Sequence, residues 1–181
     1  MVADMAKLKQ SAIDTCFLID LADKNPVALS SLRDLHHHKY VVFAPPTVLQ
    51  ELAHIATQSK EHDPKVKALA LSALQSLRAW KIDPYNLIPA GHGLVEINGD
   101  ALRRKGFIPE EERHDSFILI ETSLLKGSLL ITTNRDLLQI NESTETLARY
   151  IQFMEEQDLM PVVVIHPKEV LKRLSRISPK A

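Results

Sequence analysis

Four short stretches of the chain carry carboxylates where an apolar element is beginning or ending. In SAIDTCFLID (11–20), a short apolar approach ends in Asp14, and Asp20 follows among Phe17, Leu18, Ile19 and Leu21. In TVLQELAHI, Val48, Glu51, Leu52 and Ile55 recur at i, i+3, i+4 and i+7, so Glu51 shares one helix face with an apolar stripe. In ERHDSFILIETSLL, Ile118 and Leu119 stand three and four residues after Asp115, which also shares a face with apolar residues. TTNRD (132–136) follows the apolar run SLLI and brings Thr133, Asn134, Arg135 and Asp136. Half-buried carboxylates are costly unless paired or metal-bound.

Taken singly, each acid has a plainer reading. Asp14 suits a helix N-cap, Glu51 and Asp115 suit the rim of a helix, and Asn134 and Asp136 suit a turn after a strand. Glu121 shares its helix with Asp115, but six residues turn it ~240° away, so the two can hardly serve one site. Taken together, three or four carboxylates and an amide, without Cys-rich or paired-His ligands, suit a hard cation with oxygen ligands. That is Mg²⁺ or Mn²⁺ rather than structural zinc. Such ions serve phosphoryl chemistry.

The elements must bring these residues to one place. Asp14 closes a strand (12–14) and opens a helix from Thr15 to Leu21, with a second from Pro26 to about Leu35. YVVF (40–43) reads as a strand, Pro45-Pro46 opens a helix, and Asp63-Pro64 starts a long helix to Trp80. Residues 81–109 hold turn residues (Pro84, Pro89, Gly91, Gly93, Gly99) and two short strand candidates, NLI and LVEI. Pro109 and three glutamates start a helix to about Lys126, capped by Gly127. SLLIT (128–132) reads as a strand, 144–157 as a helix, PVVVI from 161 as a strand, and 167–176 as a last helix. Alternating strands and helices predict an α/β domain with a mainly parallel sheet, whose ligands gather beyond the carboxyl ends of the strands. Asp14 and TTNRD both fall on that edge.

Bulk numbers narrow the function classes. The chain has 181 residues, 45% apolar and 25% charged, enough for one cored domain. With 22 basic and 23 acidic residues, the net charge is −1, so a nucleic-acid partner must be met by local patches or through metal ions. Cys16 is the sole cysteine, which fits a reducing cytosol. MVADMAKLKQ lacks a signal peptide's apolar run, and nothing approaches the ~20 apolar residues of a membrane helix, so a cytoplasmic location is expected. His36-His37-His38 reads as a polar helix end or turn. No dinucleotide or triphosphate glycine motif and no G-x-S-x-G elbow is present, and Asp14-Thr15-Cys16 lacks the second aspartate of haloacid-type phosphatases.

The ordered segments AIDTCFLIDL, APPTVLQEL and ERHDSFILIETSLLKGSLLITTNRDLL resemble the PIN-domain family of metal-dependent ribonucleases, including the toxin-type members of toxin–antitoxin systems. They span residues 12–138, and with the last strand and helix nearly the whole chain is covered. The resemblance implies a single domain over 1–181, with a motif-bearing core at about 11–166 and a C-terminal helix at about 167–177. It implies a three-layer α/β/α sandwich around a mainly parallel sheet of about five strands. Carried over, Asp14, Glu51, Asp115 and Asn134 or Asp136 are the catalytic, metal-holding set, with Thr15, Asp20 and Thr133 ancillary. Cys16 stands where the family often has Asn or another small polar residue. The implied reaction is Mg²⁺- or Mn²⁺-dependent hydrolysis of single-stranded RNA, in a toxin-type or RNA-processing role. A homodimer and an antitoxin or other protein partner are implied too. The alternative is a PIN-like module that binds RNA or partners without cutting. Arg103, Arg104 and Lys105, with Arg113 and Arg135 nearer the acids, are the candidate RNA contacts; a solvated surface run is the plainer reading. Lys168, Lys172, Arg173 and Arg176 recur at helical spacing and suit RNA, a partner or water.

Overall fold

Five short strands form one parallel sheet in the order β3-β2-β1-β4-β5. They are β1 (Gln10–Ile13), β2 (Val41–Ala44), β3 (Ile82–Pro84), β4 (Leu129–Ile131) and β5 (Val163–Ile165). The structure, a computed structural model, describes residues 9–58 and 63–177, the side chains of Gln58, Arg176 and Ile177 excepted. The N-terminal stretch before Lys9 and the Arg176 side chain therefore lie outside the described residues.

The strands are apolar because both faces are covered, as a parallel sheet requires. Ala12, Ile13, Phe43, Ala44, Leu130 and Ile131 are fully buried. Between β1 and β2 run α1 (Thr15–Ala22) and α2 (Pro26–His37); between β2 and β3 run α3 (Pro46–Gln58) and α4 (Pro64–Ser76). Then α5 (Pro89–Arg104) and α6 (Arg113–Leu124) carry the chain back to β4. A short α7 (Arg135–Leu138), a 3-10 turn (Gln139–Asn141) and α8 (Thr144–Glu156) lead to β5, and α9 (Pro167–Ile177) follows. His36 and His37 end α2 and His38 caps it, as the sequence predicts. No described helix is long and apolar enough to cross a membrane.

The strand order reverses between β1 and β4. From β1 the chain builds outward through β2 and β3, and from β4 outward through β5. The loops leaving β1 and β4 therefore diverge and open a crevice at the carboxyl edge. Residue pairing sets Ile13 opposite Ile131, so Asp14 and Thr132 emerge side by side.

The edge strand β5 is tied down from outside. Val163 N bonds inward to Ser128 O, whereas main-chain groups of Val162 and Val164 are bonded from the outer side. The Tyr150 hydroxyl accepts from Val162 N at 3.1 Å and donates to Val162 O at 3.3 Å. Asn141 Nδ2 donates to Val164 O at 2.5 Å.

Four expectations are corrected. Neither NLI nor LVEI is a strand: residues 94–97 lie inside α5, and the third strand is Ile82–Pro84. Gly91, Gly93 and Gly99 are not turn residues but lie inside α5. A Cβ on Gly99 would come within 2.7 Å of Phe117 Cδ1, so its absence lets α5 lie close on α6. The helix expected from Pro109 begins only at Arg113, because Glu112 N turns back to Pro109 O. Gly127 is not the left-handed cap of α6. Lys126 takes that conformation (φ 66), and Gly127 instead packs where a Cβ would meet Thr122 Cγ2 at 2.7 Å. Lys24, Lys39 and Lys81 close earlier helices at φ 60, 60 and 53. A cation there suits the negative end of a helix dipole.

Candidate active site

Asp14 leaves β1 and is the N-cap of α1, its carboxylate accepting from Thr15 N at 2.5 Å. Its other oxygen accepts from Thr132 Oγ1 at 2.6 Å, and that same hydroxyl accepts from Asn134 N at 2.8 Å. Thr132 thus joins the two diverging loops through one buried oxygen. Burial pushes Asp14 up to about 6; the Glu51 charge adds to this, and the Thr132 bond opposes it.

Glu51 projects from α3. Its Oε2 accepts from Thr15 Oγ1, and its Oε1 lies 2.9 Å from His114 Nδ1. Asp115 sits in the first turn of α6, which is apolar on most sides and runs through the core. Asn134 Nδ2 donates to Asp115 Oδ2 at 2.7 Å, while Asn134 Oδ1 accepts from Asp136 N at 2.9 Å and caps α7. Burial pushes Asp115 up to about 8, helped by the charges of Asp14, Glu112, Glu51 and Asp136. Asp14, Thr15, Glu51, Glu112, His114, Asp115 and Asn134 line one cleft of about 880 Å³, whose far wall is apolar (Ile19, Ala53, Ile55, Val66).

Oxygens of Glu112, Asp115 and Asp136 lie within 4.8 Å of one another. Opposite ligands of an octahedral Mg²⁺ stand roughly 4.2 Å apart, twice a ~2.1 Å bond, so this donor set fits a hard divalent ion with little movement. Asp136 is the TTNRD residue in this tight set. Asn134 spends its amide oxygen on α7 and its amide nitrogen on Asp115. Asp14 and Glu51 share the cleft outside the tight set.

Other candidates are placed elsewhere. Asp20 and Thr133 line a separate small pocket with Asn25 and His166. Burial raises Asp20 above its usual range, helped by Asp23 and opposed by His166. Glu121 stays out of the acid cluster: it accepts from Thr47 N at 3.0 Å and from Thr47 Oγ1 at 2.8 Å, holding the start of α3. Burial pushes it up to about 7, against those bonds. Cys16 is exposed on the cleft, yet desolvation and the Asp14 charge push its thiol up to about 12, which disfavours the thiolate a nucleophile needs.

Arg103 is 11% exposed and turned inward, donating to Ser116 Oγ at 2.6 Å and bridging to Asp100. Arg104 and Lys105 are exposed at the end of α5. Arg113 lies over the Phe117 ring at 5.0 Å and pairs with Glu96 at 3.6 Å. Arg135 is exposed at the start of α7. Sequence reasoning missed Thr132, Glu112 and His114. Strand alternation could have flagged Thr132, since Thr132 and Thr133 must point to opposite sides. Nothing local marks Glu112 or His114.

No known family profile matches the sequence, and no curated protein matches it. Among solved structures, the chain is similar to a chain of VapBC2 from Rickettsia felis, captured bound to a DNA fragment from their promoter. The two are 14% identical over 87% of this chain and 98% of that one, with a TM-score of 0.57. At that identity the likeness is one of fold. Sheet order, motif order and this likeness agree: the chain has the PIN-like α/β/α fold.

Proposed function

We propose that the protein is a divalent-metal-dependent nuclease that hydrolyses phosphodiester bonds in single-stranded RNA. One observation carries the reading. Carboxylates from three separate elements (the β1 loop, α3 and the start of α6) line a single open cleft at the switch point of the sheet, and Asp136 from the loop after β4 brings an oxygen within 4.8 Å of those of Glu112 and Asp115. A fold does not gather five acids in one place for stability, because each raises the cost of ionising the next. Their number and hardness suit Mg²⁺ or Mn²⁺, held by Asp115, Asp136 and Glu112, with Asp14 and Glu51 across the cleft.

When bound, such an ion neutralises charge on a phosphate and activates water. The chain's own groups prepare for this. Thr132 fixes Asp14, and Asn134 fixes Asp115 while holding α7 in place. Burial, helped by the neighbouring acids, raises the Asp115 carboxyl to about 8, so a cation that offsets those charges favours its ionised form. The apolar wall of Ile19, Ala53, Ile55 and Val66 gives a base somewhere to rest beside the acids. Arg104, Lys105 and Arg135, exposed at the surface, are the cations for flanking phosphates. A small protein partner that covers the cleft, as in a toxin–antitoxin pair, and a cytoplasmic setting fit the same reading.

The test is cleavage of end-labelled single-stranded RNA in Mn²⁺, Mg²⁺ or EDTA, with wild type beside Asp14→Asn. Metal-dependent cutting that Asp14→Asn abolishes supports the reading. Cutting that persists in EDTA or in the variant refutes it.

A further inference from the structure

Glu51 differs from the other acids of the cleft. Asp14 and Asp115 have short side chains, are 2% and 7% exposed, and are held by Thr132 and Asn134. Glu51 reaches in from α3 on a longer side chain that is 21% exposed. Its charge opposes that of Asp14, and water is within reach. An untethered glutamate in that position gains rotamer freedom and relief from repulsion by swinging outward.

Two donors oppose this. Thr15 Oγ1 holds Oε2 from the α1 side, and His114 Nδ1 holds Oε1 from α6 at 2.9 Å. A carboxylate only accepts, so the imidazole donates through Nδ1–H. The His114 side chain is 63% exposed, and this is its polar contact among the described residues. Packing therefore gives the residue little reason to be there. Each carboxylate oxygen retains a second acceptor direction for a ligand in the cleft.

We infer that His114 is a positioning residue that holds Glu51 inside the cleft and thereby sets the affinity for a divalent cation. The inference rests on the metal reading above. Outer groups that orient ligating carboxylates typically contribute about 10–100-fold in metal affinity. His114→Ala therefore weakens cation binding by at least roughly 10-fold. In His114→Asn, the side-chain amide donates from nearly the place of Nδ1 and restores most of the affinity.

The experiment is Mn²⁺ titration of the full chain, followed by the spin resonance of free Mn²⁺, for wild type, His114→Ala and His114→Asn. Thermal melts in EDTA should coincide for all three, because the ring is at the surface. At saturating Mn²⁺ the Ala variant should recover the wild-type RNA cleavage rate. Equal Mn²⁺ affinity in wild type and the Ala variant, or an Asn variant no better than Ala, overturns the inference and leaves the metal reading standing. A rate that stays low at saturating Mn²⁺ makes His114 catalytic and overturns the positioning role. Failure of wild type itself to bind Mn²⁺ overturns the metal reading and the inference with it.

Discussion

Asp115→Asn should make the metal-free protein more stable. The carboxyl is 7% exposed, and its value is pushed from 3.8 to about 8 by burial and by four neighbouring acids. Below pH 4 the folded and unfolded chains both hold this proton, and the group has no effect on folding. Between those two values the unfolded chain releases the proton and the folded chain keeps it. Stability attached to this group is therefore full at acid pH and is lost as pH rises towards 8, at about 1.4 kcal/mol per pH unit. At pH 7 the loss is about 4 kcal/mol. For a chain of this size, each kcal/mol shifts Tm by ~2–4 °C, which gives a gap on the order of 10 °C. Asparagine removes the ionisable group and keeps an oxygen to accept from Asn134 Nδ2. Melts of both proteins in EDTA from pH 4 to pH 8 should show Asp115→Asn ahead at pH 7 and the two curves meeting near pH 4. With excess Mn²⁺, wild type should gain more than the variant, because only wild type offers the full donor set. A variant that melts at or below wild type at pH 7 in EDTA, or a gap that persists unchanged at pH 4, would refute the account.

Four further outcomes follow from other parts of the structure. Thr132→Val removes the hydroxyl shared by Asp14 and Asn134, leaving buried polar groups unpaired; urea unfolding should show a loss of about 1–3 kcal/mol. Gly99→Ala drives a methyl into Phe117 and should cost about 1–3 kcal/mol in the same assay. Arg104→Ala with Lys105→Ala should lower the salt dependence of RNA binding, by about one in slope for each phosphate no longer neutralised. Arg103→Ala, whose guanidinium is already engaged by Ser116 and Asp100, should instead lower Tm and leave the slope alone.

The parts of the fold that were readable in the sequence are those with local causes. The Asp14 cap, the Asp63-Pro64 start, the prolines at helix starts and the β-branched strands all act within a few residues. The errors come from residues chosen for distant neighbours. Gly99 looks like a turn but answers to Phe117 on another helix. Gly127 looks like a cap but answers to Thr122 and Phe43, and the helix ends on Lys126. The site divides in the same way. Asp14, Glu51 and Asp115 stand out because each breaks an apolar pattern. Glu112 sits among three consecutive glutamates, and only the delayed start of α6 turns it towards Asp115 and Asp136. His114 is exposed, and its meaning lies wholly in Glu51, 63 residues earlier in the numbering of this chain.

The sheet margins constrain how this protein can associate. An added strand would need the outward main-chain groups of β5, but Tyr150 occupies both groups of Val162, and Asn141 takes the carbonyl of Val164. At the opposite margin, β3 ends in Pro84, which has no N–H to offer. Both margins thus resist templating by a neighbouring chain, the usual first step of β-rich aggregation. Among the described residues, that leaves the helical surfaces for association, where partners are chosen by side chains.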